Sequence, residues 1–91
     1  MPRLYLFRGF AIYFWTAENG EPVHVHVSKG RPGPSATKIW LTRSGGCILA
    51  SNGSGLSKRD IANVMDFVML NHADICERWR EYFQGDISFY K

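Results

Sequence analysis

The sequence predicts an α+β fold: a four- to five-stranded antiparallel sheet followed by a long C-terminal helix, straight or kinked, packed on one face. Up to residue 52, short runs of aromatic and β-branched residues alternate with turns that contain glycine or proline, which is typical of strands. From Ser57 onward, apolar residues recur every three or four positions, which is typical of a helix. Because 91 residues have room for one core, we expect a single domain, residues 1–91, with the sheet over 1–52 and the helical segment over 57–84.

The first two strands are predicted around a glycine. Residues 3–8 (RLYLFR) and 10–15 (FAIYFW) are divided by Gly9, so they form two strands or one bent strand. The other predicted strands are 23–28, 37–43 and 47–51, and the connections are the Asn-Gly turn at 18–22, the loop at 29–35 and the hairpin turn at 44–46.

The apolar stripe of the helical segment continues without a change of phase from Ile61 to Tyr82. Ser57 is a favoured N-cap residue and Gly85 a natural stop. One continuous helix would be roughly 40 Å long at 1.5 Å per residue, which exceeds the expected diameter of so small a globule. We therefore expect the helix to overhang, to kink near Asn71 or to pack its end on a second molecule; Asn71 could equally cap a second helix.

Composition indicates a cytoplasmic protein. No run approaches the ~18–20 apolar residues of a membrane helix, and no secretory signal is recognisable. Cys47 and Cys76 are isolated, which fits reduced thiols better than disulfides.

The net charge of +3 is distributed unevenly along the chain. Residues 1–59 hold eight Lys or Arg against two Glu, whereas residues 60–91 hold three Lys or Arg against six acidic residues. A basic region attracts phosphate-bearing ligands or acidic partners, or it only aids solubility.

Two histidines in residues 21–30 (EPVHVHVSKG) carry the main chemical signal. Because successive side chains of a strand point to opposite faces, His24 and His26 share one face and the flanking valines share the other. We expect the valines to face the core and the histidines to face solvent, a groove or a partner.

Three interpretations of the pair compete. A metal site would need further ligands, and His72, Glu21 and Cys47 stand at no diagnostic spacing, so no metal or other cofactor is predicted. Acid–base cleavage of a phosphodiester, as in a metal-independent RNase-type toxin, would suit imidazole, but no orienting carboxylate or nucleophile motif accompanies the pair. The third interpretation, which we prefer, is a non-enzymatic binding surface or a purely structural pair.

A ligand-binding interpretation gains support from the following strand, where Trp40 and Lys38 share a face and could stack on a base and hold a phosphate. Equally, Trp40 could belong to the core. Glycine-rich residues 53–55 lead into two cations at a helix N-terminus, which is either an anion site or a flexible turn. The candidate ligand-binding residues are His24, His26, Lys29, Arg31, Lys38, Trp40, Lys58 and Arg59.

A partner surface is predicted on the helical segment, because Phe67 and Leu70 lie off the main apolar stripe. Trp79 is included with them as a candidate, although its place in the stripe is most simply explained by the core. Either a protein partner or self-association would cover such a surface.

Three features occur in order along the chain: the aromatic strand pair LYLFRGFAIYFW, the signature at 22–27 (PVHVHV) and the element Glu77-Arg78-Trp79. In these features the chain resembles the small bacterial proteins of domain-of-unknown-function family 4160. Val23 stands where the signature has a second proline, and residues 18–21 replace an Asp-His pair, which argues against a metal or catalytic site.

The resemblance implies cytoplasmic proteins of bacteria and mobile elements, with genes beside another small gene in an arrangement similar to toxin–antitoxin pairs. We therefore expect a non-enzymatic module that acts through a partner in a toxin–antitoxin-like or phage–host conflict system. The alternatives are a binder of nucleic acid or of a phosphate-bearing nucleotide, and an RNase-type toxin that uses His24 and His26.

Overall fold

A computed structural model describes residues 3–15 and 20–91, in which five strands precede two helices. The strands are β1 (Arg3–Phe7), β2 (Phe10–Tyr13), β3 (His24–Lys29), β4 (Thr37–Leu41) and β5 (Cys47–Asn52), and the helices are α1 (Lys58–Leu70) and α2 (His72–Phe83).

The strands form one antiparallel sheet in the order β1-β2-β3-β4-β5, which confirms the predicted fold class. Residues 3–13 form two strands, because Arg8 and Gly9 both adopt positive φ angles, of 51° and 82°, and reverse the chain within two residues. Turns with two positive φ values match the twist of a hairpin. The turn predicted at 18–22 includes Glu18 and Asn19, which lie outside the described residues.

The helical segment consists of two helices. The continuous phase of its apolar stripe, which favoured one long helix, therefore did not indicate an unbroken backbone. At Asn71 (φ −106°, ψ 17°) the backbone leaves the helical region. The Asn71 side-chain amide donates to the carbonyl of Phe67 at 2.9 Å, and the Asn71 carbonyl accepts from Ile75 N–H at 2.9 Å. Asn71 therefore ends α1 and begins α2. Helices of 13 and 12 residues, each about 20 Å long, fit within the 34 Å longest extent of the molecule.

The start of the helical segment agrees with the sequence prediction, whereas its end differs from it. Ser57 caps α1, because its hydroxyl oxygen accepts from Asp60 N–H at 3.1 Å. The stop predicted at Gly85 falls one residue earlier, since Gln84 adopts the left-handed conformation (φ 52°) and donates its N–H to the Arg80 carbonyl.

The core lies between the valine face of β3 and the helices. Val23, Val25 and Val27 are wholly buried, as the alternation predicts. Each buried side chain of this kind contributes about 1.5–3 kcal/mol relative to an exposed one. The other buried members of the cluster are Phe10, Ile12, Phe14, Ile39, Leu41, Leu56, Val64, Val68, Ile75, Cys76 and Trp79.

A polar contact at the edge of this core links β1 to α2. Tyr5 O–H donates to the Asp74 carboxylate, which also accepts from Arg78 Nε at 3.0 Å. Burial, reinforced by the bond to Asp74, raises the pKa of Tyr5 from 10.0 to about 12. The same bond lowers the pKa of Asp74 below its usual value. The contact therefore requires a protonated tyrosine and an ionised carboxylate.

Replacing Tyr5 with phenylalanine removes this hydrogen bond and keeps the ring, so we expect a loss of about 1 kcal/mol of unfolding free energy at pH 7. The folded pKa of Tyr5 is raised, so its contribution is complete below pH 10 and is lost between about pH 10 and 12. The folded pKa of Asp74 is lowered, so its contribution is lost as the pH falls through that value. Urea unfolding of wild type and Tyr5→Phe, from below the folded pKa of Asp74 up to pH 12, measures the difference in unfolding free energy.

The stability difference between wild type and Tyr5→Phe should shrink at both pH extremes. Tyr82→Phe is the matched control and should show no comparable change with pH. A difference between wild type and Tyr5→Phe that stays constant from pH 7 to 12 would contradict the role of the phenol proton.

Candidate functional site

The strand register gathers aromatic and cationic side chains on the sheet face opposite the valines. On β3, His24 lies opposite Trp40 and His26 lies opposite Lys38, while on the other side His26 lies opposite Tyr13 of β2. We call these five residues the aromatic face. Their common position follows from strand alternation, as expected for His24, His26, Lys38 and Trp40.

The first histidine of the pair is a core residue. His24 is 0% exposed, and its ring lies edge-on to those of Trp40 and Trp79, with centroids 5.3 and 5.2 Å away. Its Nδ1 lies 2.8 Å from the Pro22 carbonyl, and because a carbonyl only accepts, Nδ1 carries the proton. The expectation that both histidines face outward is therefore wrong for His24, since Trp79 reaches it from α2.

The second histidine is half-buried at the centre of the face. The His26 ring stacks on Tyr13 with centroids 5.6 Å apart, and it meets His24 edge-on at 5.0 Å. Tyr13 is itself buried, and its hydroxyl is satisfied by the Ser28 hydroxyl at 2.9 Å and by the backbone of Gly33 at 3.3 Å. The loop between β3 and β4 thus covers this end of the face.

The tryptophan and lysine of the face are already engaged within the chain. Lys38 Nζ lies 4.2 Å from the centroid of the Trp40 ring and 3.5 Å from Glu21 Oε1. The Tyr90 ring stacks on Trp40 at 4.9 Å with an interplanar angle of 9°. A nucleobase could stack on Trp40 only after Tyr90 or Lys38 had moved away.

The remaining predicted ligand residues are exposed and are not part of this face. Lys29 ends β3, five residues beyond His24, which corresponds to about 16 Å along a strand. Arg31 follows in the loop, and Lys58 and Arg59 begin α1.

The residues considered as additional metal ligands have other partners. His72 Nε2 lies 2.6 Å from the Thr42 carbonyl, Cys47 Sγ donates to the Met65 carbonyl at 3.6 Å, and Glu21 pairs with Lys38. Across residues 3–15 and 20–91, no group of three His, Cys, Asp or Glu side chains is arranged to hold an ion.

The partner-surface residues separate into two environments. Phe67 and Leu70 line a shallow surface cavity of about 280 Å³ together with Phe7. Leu70 is 83% exposed, and Phe67 stacks on Phe7 at 4.3 Å. Trp79, by contrast, is 3% exposed, so its assignment to the partner surface is wrong. We call Phe7, Phe67 and Leu70 the Leu70 patch.

The site residues predicted from the sequence do not include residues 86–91, which we call the tail. Tyr90 stacks on Trp40, while Phe89 stacks on His72 with centroids 6.2 Å apart. The alternation of apolar and polar residues from Asp86 to Phe89 is the sequence signal that could have identified the tail as a strand-like segment.

A five-stranded antiparallel meander backed by two helices defines a small protein of the α+β class. The chain belongs to the family described as domain of unknown function DUF4160, whose model matches residues 9–80. This match confirms the predicted resemblance, and the tail lies beyond the matched residues. No curated protein and no solved structure matches the chain. None of the helices in the described part of the chain is long and apolar enough to span a bilayer.

Because His24 is enclosed and His26 is only half-buried, we expect the two alanine variants to differ in stability. His24→Ala should lose about 2–4 kcal/mol of unfolding free energy, since it leaves a cavity beneath two tryptophans. His26→Ala should lose less than about 1 kcal/mol. Chemical denaturation of each variant at pH 7 measures the losses, and equal losses would contradict the enclosed position of His24.

Proposed function

We propose that the protein is a non-enzymatic cytoplasmic binding module that acts on a protein partner in a toxin–antitoxin-like or phage–host conflict system. The observation that supports this proposal best is the Leu70 patch. Leucine side chains are normally buried, and one that is 83% exposed beside two phenylalanine rings favours coverage by another protein.

The surroundings of the Leu70 patch suit a polypeptide partner. Arg8 and Asp66 line the same cavity, so one charge of each sign accompanies the apolar side chains. Protein–protein interfaces usually combine apolar and polar side chains in this way. A nucleic acid would instead favour cations alone.

The position of His24 favours binding over histidine catalysis. A general acid or base must come within hydrogen-bond reach of its substrate, and His24 is wholly enclosed by protein. The conflict-system setting rests on the family resemblance, in which a second small gene is adjacent. The product of that gene is the partner we propose, and self-association is the other way in which the patch could be covered.

Leu70→Asp should weaken binding of the adjacent gene product at least about tenfold, because it places a charge in the centre of the interface. Leu70 is largely solvated in the free protein, so the variant should unfold at the same urea concentration as wild type. Calorimetric titration of the co-expressed, separated partners measures the affinity, and light scattering of the protein alone measures self-association.

Ala50→Asp is the matched control, since it adds the same charge at an exposed position of β5. This variant should bind like wild type. If Leu70→Asp also binds like wild type, or if the protein is a strict monomer that ignores the adjacent gene product, the proposal fails.

Binding of nucleic acid or of a nucleotide is the second candidate, because Lys38 and Trp40 are neighbours on the aromatic face and could hold a phosphate and a base once Tyr90 has left the Trp40 ring. Such binding should weaken steeply as salt rises, because the cations of residues 1–59 would replace counterions on phosphate. Fluorescence anisotropy with single-stranded RNA at 50 mM and 200 mM salt tests it. An absence of binding at the lower salt concentration would eliminate this candidate.

A further inference from the structure

The tail lies across the start of β3 and the end of β4. Val23 N–H donates to the Ser88 carbonyl, and Arg43 N–H donates to the Lys91 carbonyl, both at 2.9 Å. Main-chain bonds between a segment and the residues that flank two strands are the type of contact by which proteins bind peptides along a sheet.

Two consecutive aromatic side chains of the tail take different partners. The Phe89 ring stacks on His72 and lies 5.3 Å from the Arg43 guanidinium carbon. The Tyr90 ring stacks on Trp40 at 9°. The surface that holds the tail therefore binds its main-chain carbonyls through Val23 and Arg43 and its two aromatic rings through His72 and Trp40. We call these four residues the tail groove.

All four residues of the tail groove lie within the span matched by the family model, whereas the tail follows that span. The end of the tail is the part most open to solvent. Tyr90 is 60% exposed, and residues 86–91 form neither helix nor strand, although Ile87 and Phe89 pack against the core. Because no sheet ladder or helix holds these residues, another segment of the same chemistry can replace them.

We propose that the tail groove is a peptide-binding site for an extended segment with two consecutive aromatic residues, and that the tail occupies this site in the free protein. The site is separate from the Leu70 patch and goes beyond the proposed function. The partner segment displaces the tail, places its first ring on His72 and its second on Trp40, and replaces both main-chain bonds.

A labelled peptide with the sequence of residues 85–91 (GDISFYK) tests this proposal on the full-length protein. In wild type, the tethered tail competes with the peptide. In Tyr90→Ala, the tail loses its stack on Trp40, so the peptide should bind about tenfold more tightly than it binds wild type. Fluorescence anisotropy measures both affinities. Tyr82→Ala, which alters an exposed tyrosine of α2, is the matched control and should bind the peptide like wild type.

Amide chemical shifts locate the binding. In ¹⁵N-labelled Tyr90→Ala, addition of the peptide should shift the Val23 and Arg43 resonances, and Trp40→Ala in the same background should abolish the gain in affinity. If Tyr90→Ala does not fold, Tyr90→Leu keeps most of the side-chain volume without the aromatic ring and replaces it in every measurement.

Equal affinity of wild type and Tyr90→Ala for the peptide would overturn the proposal, as would a gain that leaves the Val23 and Arg43 resonances unchanged. Leu70→Asp in the Tyr90→Ala background should keep the gain in affinity. Failure of the Leu70 patch as a partner surface and failure of the tail groove are therefore distinguishable.

Discussion

Burial of the central strand β3 on both faces is the constraint on which the rest of the structure depends. Val25 and Val27 on one face and His24 on the other are all wholly buried. An antiparallel sheet usually leaves one face in water, so a strand of this kind needs cover from two directions. The helices cover the valine face, while Trp79 of α2, the loop after β3 and the tail cover parts of the aromatic face.

Burial of a histidine is tolerated here because its polar atoms have partners. The Pro22 carbonyl accepts the Nδ1 proton of His24, and the Trp40 and Trp79 rings pack against the imidazole. An imidazole is small enough to pack among aromatic rings and still satisfies its donor, whereas an unpaired buried donor would be costly. The His-x-His pair thus consists of one core histidine and one half-buried histidine. This difference argues against metal binding or acid–base catalysis by two equally accessible imidazoles.

The two surfaces that we propose for partners lie at different places in the fold. The Leu70 patch lies where Phe67 of α1 meets Phe7 of β1, and the tail groove lies at the ends of β3 and β4. The first consists of side chains alone, whereas the second also includes main-chain groups, so the two proposed surfaces would suit different features of a partner.

Periodicity determined the class of fold, the approximate strands and the N-cap at Ser57, because these depend on residues close together in the chain. It also placed both histidines opposite the valines. The break at Asn71 could be anticipated only as an alternative, since a stripe of apolar residues keeps its phase across one non-helical residue.

Tertiary structure alone decided the burial of His24 and the docking of the tail, and it decided for Trp79 between the core, which the apolar stripe already favoured, and the partner surface. Each depends on contacts between residues about 50 positions apart, such as Trp40 with Tyr90 and His24 with Trp79. Alternation along a strand specifies which face a side chain takes, but what covers that face depends on how distant segments pack. The sequence by itself therefore determined the two faces of the sheet, and only the folded chain decided which parts of them reach solvent.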